Sequence, residues 1–75
     1  MTPIEDTTFK VTATVDHVLP QMGIAYLTGG DSREWVVTKN TRGLKFSTLH
    51  PGQSVALTVL KNPRFDVVRS GEVLN

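Results

Sequence analysis

Thr8-Phe9-Lys10-Val11-Thr12-Ala13-Thr14-Val15-Asp16 places an apolar side chain at every second position. Phe9, Val11, Ala13 and Val15 form one row. Thr8, Lys10, Thr12, Thr14 and Asp16 form the other. A period of two sends one row into a core and the other into water, as a half-buried β-strand requires. The segment runs on to Leu19 and is stopped by Pro20.

The same rhythm continues along the chain. Pro20-Gln21-Met22-Gly23 connects to a second strand expected over about Gly23 to Thr28. Thr28-Gly29-Gly30-Asp31-Ser32-Arg33 is dense in turn formers and reads as a hairpin loop. Glu34 to Thr38, with Trp35, Val36 and Val37, reads as the third strand. Lys39 to Pro51 is polar and irregular, with room for one helical turn near Lys45 to Leu49. Pro51-Gly52 is a turn signal before a fourth strand over Ser54 to Leu60, in which Val55, Leu57 and Val59 alternate with Ala56 and Thr58. Lys61-Asn62-Pro63-Arg64 reads as a tight turn and Phe65 to Arg69 as the fifth strand. Residues 1 to 7 read as a loose leader to a single domain over 8–75.

The expected fold is all-β, a small five-stranded antiparallel barrel. A sheet this short must close or leave long edges bare. Three meandering strands, a longer crossing connection and a returning hairpin are the wiring of an OB-type Greek-key barrel. An SH3-like barrel is the alternative, because spacing alone separates the two poorly.

Composition narrows the function classes. A chain of 75 residues holds one domain with a modest core, and it contains no cysteine for a disulfide, a thiolate metal site or a thiol nucleophile. No apolar run approaches the roughly 20 residues of a membrane span, and the first residues lack the pattern of a signal peptide. A cytoplasmic protein without membrane contact is expected. His17 and His50 stand far apart, without acids at ligand spacing, so no metal is expected. No nucleophile elbow, phosphate loop or paired-carboxylate motif is present, and the chain reads as a non-enzyme with no cofactor and no catalytic residues. Net charge is +1, yet Lys39, Arg42, Lys45, Lys61 and Arg64 occupy the stretch from Trp35 to Phe65 without one acid among them. Such segregation gives one side of a barrel a potential that attracts phosphates.

Three segments resemble the bacterial cold-shock domain, a nucleic-acid-binding OB-fold. Ala13-Thr14-Val15-Asp16-His17-Val18-Leu19-Pro20-Gln21-Met22-Gly23-Ile24-Ala25-Tyr26-Leu27-Thr28 lies without a gap on that family's first two strands, with Gly23, Tyr26 and Thr28 on matching types. Asp31-Ser32-Arg33-Glu34-Trp35-Val36-Val37-Thr38 is similar to its third strand, and Pro51-Gly52-Gln53-Ser54-Val55-Ala56-Leu57-Thr58-Val59 to its fourth. The smallest bacterial initiation factor, another OB-fold, is a comparable match in length and rhythm. The resemblance implies binding of single-stranded RNA or DNA on an aromatic face of strands two and three. At the family's aromatic positions this chain has His17, Ile24 and Tyr26, then Val36 or Trp35. The family's His falls at Thr38 or Val37.

The candidate nucleic-acid-binding residues are therefore Lys10, His17, Tyr26, Trp35, Lys39, Arg42 and Lys45. Tyr26 offers a stacking face or closes the barrel with its hydroxyl at the rim; Trp35 is either core or platform. The basic residues would neutralise phosphates. The second reading is a protein-interaction or regulatory barrel that meets a protein partner through an apolar face of Ile24, Tyr26 and Val36.

Overall fold

The computed structural model describes residues 8–61 and 66–74. The expected leader, and most of the turn expected at Lys61–Arg64, fall outside them. The chain forms β1 (Thr8–Leu19), β2 (Ile24–Gly29), β3 (Glu34–Thr38), β4 (Ser54–Lys61) and β5 (Asp66–Val73), with one 3-10 turn at Phe46–Thr48. Strand order in the single sheet is β3-β2-β1-β4-β5, and every strand pair is antiparallel. A fourth strand that returns to lie beside the first, outside a three-strand meander, is a Greek key. With β5 added as a hairpin partner of β4, the wiring is that of the OB type rather than the SH3-like alternative.

β1 is long because it serves two halves of the sheet. Thr8 to Thr14 pair with β4, while Ala13 to Leu19 pair with β2. The two ladders overlap at Ala13 and Thr14, and there the sheet curls. The alternating row enters the interior as the pattern requires: Ala13 and Val15 are buried, and Phe9 and Val11 pack on the core's margin. Opposite them Val55, Leu57 and Val59 are fully buried, joined by Ala25, Leu27, Trp35, Val37, Leu44 and Leu49.

A β-bulge falls at Asp16, since Val15 pairs with Leu27 and His17 with Tyr26. The extra residue inverts the alternation. Asp16 and His17 thus both leave the core side, and Val18 returns to pack against it. The displaced Asp16 carboxylate accepts a hydrogen bond from the Thr28 hydroxyl.

Curling brings β3 and β5, the two ends of the sheet, to opposite sides of one seam. At one end of the seam Arg33 Nη2 donates to Asp66 Oδ2 at 2.6 Å. At the other the connection after β3 runs alongside β5: Arg42 bridges Ser70 in parallel, and the Gly71 N–H donates to the Arg42 carbonyl at 2.9 Å. Gly43 makes this approach possible. Its φ is +81°, and a Cβ there would lie 2.4 Å from the Gly71 carbonyl oxygen.

β5 extends to Val73, four residues past the Arg69 expected from sequence. Two features hide it from pattern reading. A second bulge at Arg69 breaks the alternation, since Thr58 pairs with Ser70 and Val59 with Val68. Gly71 looks like a strand breaker, yet the Leu44 side chain occupies the space where its Cβ would lie, 2.9 Å away.

Trp35 is 5% exposed and belongs to the core, the first of the two roles the sequence left open for it, so it leaves the set of candidate binding residues. On β3 the inward row is Trp35 and Val37; Glu34, Val36 and Thr38 face out. The indole meets Phe9 edge to face at 6.5 Å, and the Arg33 guanidinium carbon lies 4.4 Å from the ring centroid. A base has no open face of this ring to stack on. Native-state fluorescence of Trp35 is expected to be blue-shifted and poorly quenched by iodide, reverting to a red-shifted, readily quenched state in denaturant. A native spectrum already red-shifted and easily quenched would contradict this burial.

Candidate nucleic-acid interface

The outer face of β1, β2 and β3 is assembled by register. His17 pairs with Tyr26, and Tyr26 pairs with Val36, so the three side chains form one row across three strands. The next outward row is Leu19, Ile24 and Thr38, and the preceding one is Thr14, Thr28 and Glu34. The bulge at Asp16 is what puts His17 in line with Tyr26. Without it, His17 would fall on the row that enters the core.

Tyr26 and Ile24 are half-buried, while Val36 is 44% exposed. Asp16, His17, Tyr26 and Glu34 border a shallow depression, with two carboxylate-bearing residues beside the one aromatic. One oxygen of Asp16 is held by Thr28.

The candidate cations do not gather around this row. Lys39 comes closest: its N–H donates to the Gly23 carbonyl at 2.9 Å, and its aliphatic stem covers Gly23, beside the Ile24 end of the face. Lys10 lies on the β4-paired half of β1, opposite Thr58. His17 lies seven positions further along, a span of roughly 23 Å on a strand. Arg42 is carried across the seam to β5. Lys45 is exposed just before the 3-10 turn and joins neither group.

Arg42 meets a residue that sequence reasoning missed. Arg69, exposed at the β5 bulge, lines the same hollow as Arg42. Its place at the supposed end of a strand concealed it, and the broken alternation around it was the available signal.

Among the described residues no group of three or more His, Cys, Asp or Glu could hold a metal ion. Among the described residues no helix is long and apolar enough to cross a membrane. Comparisons with protein-family models, with curated proteins and with solved structures find no match to this chain.

Proposed function

We propose that the protein is a small non-enzymatic module that binds single-stranded RNA or DNA on the outer face of β1, β2 and β3. The observation that carries this reading is the in-register row His17–Tyr26–Val36 with Ile24 beside it. OB-type barrels use the strand-two and strand-three face for unstacked bases. Tyr26 supplies the stacking surface, an interaction that contributes about 1–3 kcal/mol per base. Glu34 and the remaining Asp16 oxygen are acceptors for exocyclic amino groups, and Lys39 is the phosphate contact nearest the row. No cofactor enters the mechanism. A cytoplasmic location, where such strands are met, belongs to the same reading.

With one aromatic and one adjacent cation, binding is expected to be micromolar or weaker and nearly blind to sequence. Fluorescence anisotropy with a labelled single-stranded oligonucleotide is the measurement. Tyr26→Ala should weaken binding about fivefold or more while leaving the salt slope unchanged, since stacking releases no counterion. Lys39→Gln should weaken all sequences alike and flatten the slope by about 0.7, one phosphate contact on a single strand. Absence of binding by the wild type at low salt would remove the nucleic-acid reading.

A second reading, docking of a protein partner, is favoured by one specific feature of the same face. Val36 at 44% and Met22 at 65% exposure leave apolar surface beside Ile24, while Asp16 and Glu34 oppose phosphates at Tyr26. Binding through that surface would be insensitive to salt, which separates it from strand capture.

A further inference from the structure

A hollow lined by Thr8, Asn40, Arg42, Thr58, Arg69 and Ser70 lies apart from the Tyr26 row, where β4 and β5 meet the connection that follows β3. We propose that it is an oxyanion site that takes a phosphate group, with Arg42 and Arg69 as its two arms.

The chemistry of the lining selects the ligand class. Two guanidiniums and one amide supply N–H donors, and three hydroxyls can turn to donate as well. Among the described residues no carboxylate lines the hollow. The closest acid along β5, Glu72, stands two positions beyond Ser70, opposite Ala56. Among the described residues neither arginine makes an ion pair; the ion pair there joins Arg33 to Asp66. Two guanidiniums facing one hollow repel a cation. A planar carboxylate occupies one guanidinium fork, whereas a phosphate has enough oxygens to engage both arms and the hydroxyls together.

Both arms are placed by backbone features rather than by chance contact. Arg42 is fixed by its bridge to Ser70 and by the Gly71 N–H on its carbonyl, an approach that Gly43 allows. Arg69 is the extra residue of the β5 bulge, beside the outward pair Thr58 and Ser70. Bulges characteristically re-aim a side chain in this way. The proposal goes beyond the reading of the Tyr26 row and stands whether or not that row stacks bases.

The test is a ¹H–¹⁵N NMR titration with inorganic phosphate, balanced against chloride at constant ionic strength. Saturable shifts are expected at the amides of Arg42, Gly43, Ser70 and Gly71 and at the Arg69 Nε–H, with none at Tyr26 or Val36. Arg42→Gln and Arg69→Gln should each weaken binding roughly tenfold, the loss of one charge-assisted contact. Both side chains are exposed, and the dispersion of the same spectra reports that the variants remain folded. Arg69→Lys should recover part of the affinity, because the charge returns without the fork. Glu5 and Asp6 precede Thr8 in the sequence, so a Glu5→Gln, Asp6→Asn variant is titrated alongside to remove acids that could compete. An oligonucleotide without terminal phosphates and a nucleoside 5′-monophosphate then distinguish a diester source from a terminal or free phosphate. Saturable shifts with either, lost in the glutamine variants, support the site. The proposal is overturned if no probe gives saturable shifts in the wild type or the acid-free variant. It is equally overturned if the shifts survive unchanged in both glutamine variants.

Discussion

Leu57→Asp is expected to leave the chain unfolded at room temperature. Leu57 is 0% exposed at the centre of β4, between Val11 on one neighbour and Gly71 on the other. Truncating a buried leucine to alanine costs about 2–5 kcal/mol through lost transfer energy and the cavity left behind. A carboxylate at the same point adds the cost of a buried charge, and among the described residues no cation is buried in the core to face it. A domain of this length has about 4–11 kcal/mol of total stability, at 0.05–0.15 kcal/mol per residue. The combined loss therefore consumes most or all of it. Val15→Asp should behave alike, since Val15 is 2% exposed on the neighbouring strand β1. Far-ultraviolet circular dichroism and denaturant titration are the checks. Leu57→Ala is expected to remain folded with a lowered midpoint, and a Leu57→Asp variant as stable as that alanine would contradict this account of the core.

Gly43→Val is expected to cost nearly as much, although Gly43 is exposed and buries nothing. Two separate effects add. A left-handed backbone conformation costs a non-glycine residue roughly 1–2 kcal/mol, more for a β-branched one. The new Cβ would also lie 2.4 Å from the Gly71 carbonyl oxygen, a distance that forces the connection away from β5. That movement breaks the Gly71-to-Arg42 hydrogen bond and withdraws Leu44 from the core. Thermal unfolding of Gly43→Val should show a midpoint lowered by more than 10 °C, at about 4–8 °C per kcal/mol for a domain of this size. Amide exchange should localise the added opening to Arg42, Leu44 and Gly71. Gly30→Val, at a glycine with open space around its Cβ position and no positive φ, is the comparison and should be nearly silent.

β1, β3 and the inward row of β4 were legible in the sequence because simple alternation survives there. Thr8–Leu19 and Glu34–Thr38 have the strand limits that the pattern indicates. The contrast between short connections and one long one pointed to Greek-key wiring, but spacing left the SH3-like alternative open, and the strand order decides between them. What escaped pattern reading lies where a single residue is inserted or where tertiary packing explains a residue type. The bulge at Asp16 realigns His17, and the bulge at Arg69 hides the second half of β5. Gly71 signals a break locally, yet it is demanded by Leu44 from a distant loop. The basic residues show the same limit. Their clustering in sequence is real, but Lys39, Arg42 and Lys45 are dispersed by the path of the connection, which no periodicity encodes. Trp35 was ambiguous in sequence by one residue of register, and register decides which face a strand residue occupies.

The seam between β3 and β5 also bears on self-association. Each of these strands ends the sheet and carries a side not taken up by the ladder, which is the surface that recruits foreign strands into aggregates. Here the two edges are turned toward each other instead of outward. The Arg33–Asp66 ion pair pins one end, and the Arg42–Ser70 bridge pins the other. β3 is only five residues long, and charged Arg33, Glu34 and Lys39 lie at its ends. A second molecule seeking to extend the sheet would have to separate both pins and bring a strand past like and unlike charges. The contacts that close the barrel thus also guard its most adhesive surface.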